Sequence, residues 1–145
     1  MIYENEPKEF SPKFEVVSCF CQNDGNFILL LRQDHKSEGN KWGVPAGKVN
    51  AGEIPIEAMK REMKEETGIE VNLEDLTCSY KLFVKYPDYD FVYYIFSTNL
   101  DSKKDIVIEP KEHKEGIWIT PQKAIEMDLI EDLDTCIEMF YKNID

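Results

Sequence analysis

Residues 47–69, GKVNAGEIPIEAMKREMKEETGI, constrain this chain more than any other stretch. Pro55 is tolerated in the first turn of a helix, and Gly68 suits the residue just past the end of one. Between them Ile56, Met59 and Met63 recur at helical spacing and form one apolar stripe. Ala58, Glu62, Glu65 and Glu66 form the adjoining stripe. Carboxylates at i, i+3 and i+4 repel one another, and a helix that keeps them needs a cation nearby. The predicted helix therefore packs one face on a sheet and turns a carboxylate face toward a cavity or toward solvent.

The flanking sequence reads as the frame for that segment. Residues 1–13 carry charges, Pro7 and Pro12, and read as an extended arm or edge segment. Residues 14–145 read as one α/β domain, with no internal repeat, low-complexity tract or linker. FEVVSCFC from Phe14 and FILLLRQ at 27–33 are strand-like, and the Asn23-Asp24-Gly25-Asn26 turn between them makes a hairpin. WGVPAG at 42–47 is a further strand leading into Gly47, with Trp42 as a packing anchor. TCSYKLFVKY (77–86) and FVYYIFST (91–98) form a second hairpin around Pro87-Asp88-Tyr89-Asp90. IVI (106–108) and GIWI (116–119) are short strands. Thr120 and Pro121 supply an N-cap and first helical residue for a helix through about Met127. A last amphipathic helix runs from about Glu131 to Tyr141, with Leu133, Ile137 and Phe140 or Tyr141 inward.

Composition narrows the chemistry. The 145 residues can bury a core, and 42% hydrophobic and 12% aromatic content argues against global disorder. A net charge of −12 disfavours nucleic-acid binding, which depends on basic residues neutralising phosphates. It leaves phosphorylated small molecules open, because a divalent cation bridges an acidic site to an anionic substrate. Cys19, Cys21, Cys78 and Cys136 match no zinc spacing and read as buried free thiols, with Cys19 and Cys21 expected on opposite faces of a strand. No signal peptide and no apolar run of membrane-spanning length is visible, so the expected setting is cytoplasmic, without a membrane partner. A homodimer is allowed.

At residues 47–69 the sequence resembles the Nudix box, Gly-x5-Glu-x7-Arg-Glu-U-x-Glu-Glu-x-Gly-U, where U is a bulky aliphatic. Gly47, Glu53, Arg61, Glu62, Glu65, Glu66 and Gly68 fill the fixed positions, and Met63 and Ile69 the U positions, methionine being a mild departure. The resemblance implies an α/β/α sandwich around a central mixed sheet. It also implies hydrolysis of a diphosphate linkage with Mg2+ or Mn2+ as cofactor. Glu62, Glu65 and Glu66 would be metal ligands, with Glu62 a possible general base and the backbone carbonyl of Ala46 a further ligand. Arg61 would orient a glutamate, Glu53 would brace the loop, and Gly47 and Gly68 would serve structure. A solvated acidic helix face is the competing reading, which the whole box outweighs. Members of the family often use another glutamate from a later loop. Here EPKEHKEG offers Glu112 and Glu115, of which Glu112 is preferred over a plain charged loop; His113 reads as an ordinary surface histidine.

Substrate choice rests outside the box. Lys48 is a candidate phosphate contact, and Arg32 either reaches over the sheet edge to substrate or is a plain surface charge. Phe83, Tyr86, Tyr89, Tyr93 and Trp118 are candidates to stack on a base. Tyr86 resembles a tyrosine of the family's dinucleoside-polyphosphate hydrolases, whereas Pro87 falls later than the proline associated with ADP-ribose hydrolases. The expected function is metal-dependent hydrolysis of a nucleoside diphosphate derivative, such as a nucleoside triphosphate. The alternatives are a dinucleoside polyphosphate hydrolase, a non-catalytic Nudix-fold nucleotide-binding module, or an isomerase of diphosphate-bearing alcohols. RNA decapping would need a local basic patch from Lys36, Lys41 and Lys48.

Overall fold

The strand β2 (Pro12–Asn23) is the spine of the computed structural model, which describes residues 1–142. The last three residues of the predicted domain lie outside the described residues. β1 (Ile2–Tyr3), β3 (Asn26–Arg32), β4 (Trp42–Gly43), β5 (Ala46–Lys48), β6 (Thr77–Lys85), β7 (Asp90–Asn99) and β8 (His113–Ile119) join β2 in one eight-stranded sheet. Its main path runs β1-β6-β7-β2-β3-β4, with β5 on β2 and β8 on β3. β2 and β7 are parallel and the other pairs antiparallel, so the sheet is mixed.

Alternation along the strands sends side chains to two layers. Val17, Cys19, Cys21, Ile28 and Leu30 pack against Ala58, Met59 and Met63 of α1 (Pro55–Thr67). Phe20, Phe27, Leu29, Leu82 and Ile95 pack on the other side with α2 (Pro121–Ala124) and α3 (Leu133–Tyr141). The result is an α/β/α sandwich. Cys19 and Cys21 share the α1 side, because residues two apart in a strand share a face; the opposite-face expectation is thus corrected. Cys136 is also buried, whereas Cys78 is exposed on β6. Among the described residues no helix is long and apolar enough to cross a membrane.

Four sequence expectations change. The β2–β3 hairpin closes on Asp24 and Gly25, both at positive φ, but pairs only at Gln22↔Phe27 and Asn23↔Asn26. Beyond that tip the strands diverge, β3 to β4 and β8, β2 to β5 and β7. WGVPAG is therefore two strands, and the chain passes from β3 to β2 through Val44-Pro45. Pro45 has no N–H for a ladder, and its carbonyl accepts the Cys19 N–H at 3.0 Å. IVI forms no strand: Val107 donates to the Thr67 carbonyl at 2.8 Å and ties that stretch to the end of α1 instead. The helix after Thr120 lasts four residues and tightens into i→i+3 turns through Met127. The predicted arm contributes β1, an edge strand paired with β6 through Ile2↔Val84 and Tyr3↔Phe83.

Candidate active site

The crossover at Pro45 lays Ala46-Gly47-Lys48 along β2 in the register Ser18↔Ala46, Val17↔Gly47, Val16↔Lys48. From there a short loop climbs into α1, whose first helical residue is Pro55. The Ile54 N–H donates to Glu57 Oε1 at 3.3 Å, satisfying one free donor of the helix start. Gly68 ends the helix at φ 75, its N–H donating to the Lys64 carbonyl at 3.0 Å. With Met59 and Met63 fully buried against the sheet, the rotation of α1 is fixed. Its glutamate stripe then faces β5.

An open cleft of about 670 Å³ lies there, lined by Arg32, Lys36, Ala46, Gly47, Lys48, Glu62, Glu65, Glu66, Glu109 and Glu112. The Glu66 Oε1 accepts the Ala46 N–H at 2.8 Å. Burial pushes the Glu66 carboxyl up to about 8, and Glu62 and Glu112 add repulsion against the Ala46 hydrogen bond and the Arg32 charge. Glu62 is also raised by burial, although Arg61 works against the shift. Glu112 is held low by its ion pair with Lys36 at 2.6 Å and stays ionised.

Arg61 organises the other carboxylates. Its Nε donates to Glu53 Oε2 at 2.7 Å and its Nη2 to Glu53 Oε1 at 3.0 Å, a two-pronged pair. Nη1 reaches Glu62 Oε1 at 2.6 Å and Glu65 Oε2 at 3.2 Å, and Nη2 also reaches the Lys48 carbonyl at 3.0 Å. Glu53 in turn accepts the Asn50 N–H at 2.8 Å, so the loop and helix are tied through one guanidinium.

Gly47 leaves room for this arrangement. A Cβ there would overlap the carboxylate of Glu62. Gly47→Ala is therefore expected to push Glu62 off Arg61, cutting kcat/KM by about 10–100-fold while costing roughly 1 kcal/mol of stability. Steady-state kinetics beside a thermal melt check both numbers.

The donors that line the cleft are oxygens, with no thiol or imidazole among them. That chemistry fits a hard divalent cation such as Mg2+ or Mn2+. Glu66, raised by burial with a single backbone N–H donor, is a carboxylate poised to gain from one. Among the described residues no three such side chains are gathered into a ready-made metal site, and Arg61 holds Glu62 and Glu65 by hydrogen bonds.

A second cleft of about 560 Å³ shares Arg32, Ala46 and Lys48 with the first. Phe14, Tyr86, Tyr89, Phe91 and Tyr93 line it. Phe14 stacks on Phe91 at 5.4 Å between centroids, and the Lys48 ammonium sits 4.3 Å over the Phe14 ring. Of the five aromatic side chains singled out from sequence, Tyr86, Tyr89 and Tyr93 line this cleft. Phe83 packs edge-on against Phe10, and the Trp118 Nε1 donates to the Lys104 carbonyl. Arg32 is not free on the surface: Nε and Nη2 donate to the Ser37 carbonyl and hydroxyl at 2.8 and 3.3 Å.

Glu115 stays exposed on β8, outside both clefts. His113 is only 4% exposed, so it is a buried residue and not a surface one; burial lowers its pKa to about 4. Its place opposite Arg32 on β3 explains the burial. Sequence reading missed Glu109, Phe14 and Phe91. Phe14 is visible in retrospect as the start of the alternation in β2, but a cleft wall formed by β2, β7 and the β6–β7 turn has no local sequence signal.

A sandwich that aims a carboxylate stripe and basic side chains at one cleft defines a protein of phosphate-anhydride chemistry. The chain belongs to the Nudix family: the model of the NUDIX domain matches residues 12–140. It is a hydrolase of the pyrophosphohydrolase class. It is 24% identical over 115 residues to the CTP pyrophosphohydrolase of Escherichia coli, covering 79% of this chain and 82% of that protein. A nudix hydrolase 1 of Caenorhabditis elegans is 46% identical over 55 residues; the match takes 38% of this chain and only 15% of that longer protein. The crystal structure of a MutT protein from Methanosarcina mazei superposes with a TM-score of 0.76 at 26% identity, covering 94% of this chain and 97% of the other.

Proposed function

We propose that this enzyme hydrolyses a diphosphate linkage of a nucleoside triphosphate, with the phosphates in the acidic cleft and the base in the aromatic one. The observation that carries this reading is the junction. Arg32, Ala46 and Lys48 line both clefts, so a ligand with an anionic and an aromatic end spans them without a break. The E. coli relative's description as a CTP pyrophosphohydrolase supports the same substrate class.

In this reading Glu62, Glu65 and Glu66 hold Mg2+ or Mn2+, with the Ala46 carbonyl as a further ligand. The cation, when bound, supplies positive charge to the diphosphate and acidifies water. Arg32, Lys36 and Lys48 neutralise phosphate oxygens from the rim of the cleft. Arg61 fixes the Glu62 and Glu65 carboxylates, and Glu53 fixes Arg61. Glu112 is ionised and within the cleft, and it serves as base or ligand once Lys36 turns to phosphate. Glu62 is the other carboxylate placed to take a proton. Phe14, Phe91 and Tyr93 offer ring faces to a base.

The test is a panel of nucleoside triphosphates, nucleotide sugars and dinucleoside polyphosphates with Mg2+, run in ¹⁸O-water. Turnover of triphosphates, with label in one product, supports the reading and identifies the phosphorus attacked. Preference for dinucleoside polyphosphates would move the assignment to that class. Absence of Mg2+- or Mn2+-dependent turnover across the panel would leave a nucleotide-binding module.

A further inference from the structure

The aromatic cleft has a polar device that the hydrolytic chemistry does not use. The Tyr86 hydroxyl donates to Asp132 Oδ2 at 2.9 Å. Both residues line the aromatic cleft, and neither lines the acidic one. Burial, followed by the hydrogen bond to Asp132 and then its charge, raises the Tyr86 pKa well above the usual phenol range, so the hydroxyl keeps its proton and donates it to Asp132. Among the described residues no other donor reaches this carboxylate, and Oδ1 retains its acceptor capacity. Of the neighbouring acids, Glu38 is spent on the Glu131 N–H at 2.7 Å, and Glu131 is exposed. Asp132 is half-buried, lines the cleft, and stands at φ 66 just before α3, where its side chain makes no capping hydrogen bond to the helix.

An ionised carboxylate only accepts hydrogen bonds. Cytosine presents an exocyclic NH2 where uracil and thymine present a carbonyl oxygen, and adenine presents one where guanine presents a carbonyl oxygen. A carboxylate in this aromatic-lined cleft attracts the amino group and repels the carbonyl oxygen, and the carbonyl also leaves a half-buried acceptor unpaired. We propose that Asp132, oriented by Tyr86, selects nucleotides whose base presents an amino group rather than a carbonyl oxygen at this edge, cytosine over uracil, and that Asp132 is a specificity-determining residue of this enzyme. The inference rests on seating the base in the aromatic cleft, as proposed above.

CTP and UTP differ at the edge in question and share ribose and phosphates, so their kcat/KM ratio isolates the contact. The wild-type enzyme is expected to favour CTP over UTP by about tenfold to a hundredfold, the range for one hydrogen bond to a charged group. Asp132→Asn presents an amide donor as well as an acceptor and is expected to bring the ratio close to one. Asparagine tolerates the left-handed backbone at this position, so the variant should fold, and a thermal melt verifies it. Tyr86→Phe keeps the ring but frees the carboxylate, and the ratio should fall part of the way, mainly through KM. Calorimetric binding of CMP against UMP reads the same preference without turnover. A wild-type ratio within twofold, or a ratio unchanged in folded Asp132→Asn, overturns the proposal. Failure of all triphosphates to turn over sinks the proposed function instead; equal or absent CMP and UMP binding would then sink this inference as well.

Discussion

Glu66→Gln is expected to lower turnover by about 10³-fold and yet to raise the melting temperature of the metal-free protein at pH 8. The two effects share one cause. Glu66 is a half-buried carboxyl whose pKa is pushed up to about 8, chiefly by burial. In the unfolded chain it titrates near 4.5, so the folded state holds its proton more tightly. Between pH 4.5 and 8 folding must take up or keep that proton, and stability falls as pH rises across this window. Glutamine carries no charge and its side-chain oxygen still accepts the Ala46 N–H, which removes the penalty. A shift of that size corresponds to a few kcal/mol, and partial exposure screens it to about 1–3 kcal/mol, or roughly 5 °C. Below pH 4.5 the gain should vanish, because wild-type Glu66 is then protonated in both states.

The loss of turnover follows from the same position. A divalent cation requires the ionised form, so Mg2+ binding should expel a proton near neutral pH in the wild type and do so less in the variant. Losing one carboxylate ligand forfeits several kcal/mol of charge stabilisation, and each 1.36 kcal/mol is about tenfold in rate. Melts at pH 4 and pH 8 with and without Mg2+, together with kcat, decide the matter. A variant that is inactive but not more stable at pH 8 would mean that Glu66 is ionised in the free enzyme and that burial does not drive its chemistry.

The glutamate stripe was legible in sequence because helical spacing is local: Ile56, Met59 and Met63 on one face fix where Glu62, Glu65 and Glu66 must lie. The α/β/α sandwich was legible through the resemblance, which carries long-range information that periodicity lacks. What sequence did not show depends on pairing between distant strands. Nothing in WGVPAG announces that Gly43 pairs with Leu30 while Ala46 pairs with Ser18, yet that switch creates the cleft floor. His113 looked like a surface residue because its neighbours are charged, and only the pairing of β8 with β3 buries it. Phe14 and Asp132 are far apart in the chain and line one cavity. For Arg61, sequence gave a partner class but not the partners, and the geometry shows one guanidinium serving three glutamates and a carbonyl.

Arg61→Ala should therefore do more damage than the loss of a single ion pair. Without the guanidinium, Glu53, Glu62 and Glu65 lose their shared donor, and Glu62 is left with a side chain only 12% exposed. Removing one partner of a partly buried network costs more than a surface pair is worth, since the remaining charges stay desolvated and repel one another. A melting temperature lower by on the order of 5 °C at pH 7 is expected. Glu53 supplies the pH signature: hydrogen bonds from Arg61 hold it down to about 2. A depressed carboxyl contributes stability above its unfolded value of 4.5, and that contribution is lost as pH falls toward 2. The gap between wild type and Arg61→Ala should thus narrow from pH 7 to pH 3. Turnover should fall by about 10²- to 10³-fold, because Glu62 and Glu65 no longer hold one geometry. Arg61→Lys restores the charge but not the fork that grips Glu53 at two oxygens, so it should recover much of the stability and little of the rate. Full recovery of rate by lysine would show that Arg61 contributes charge alone and that the two-pronged contact with Glu53 is incidental.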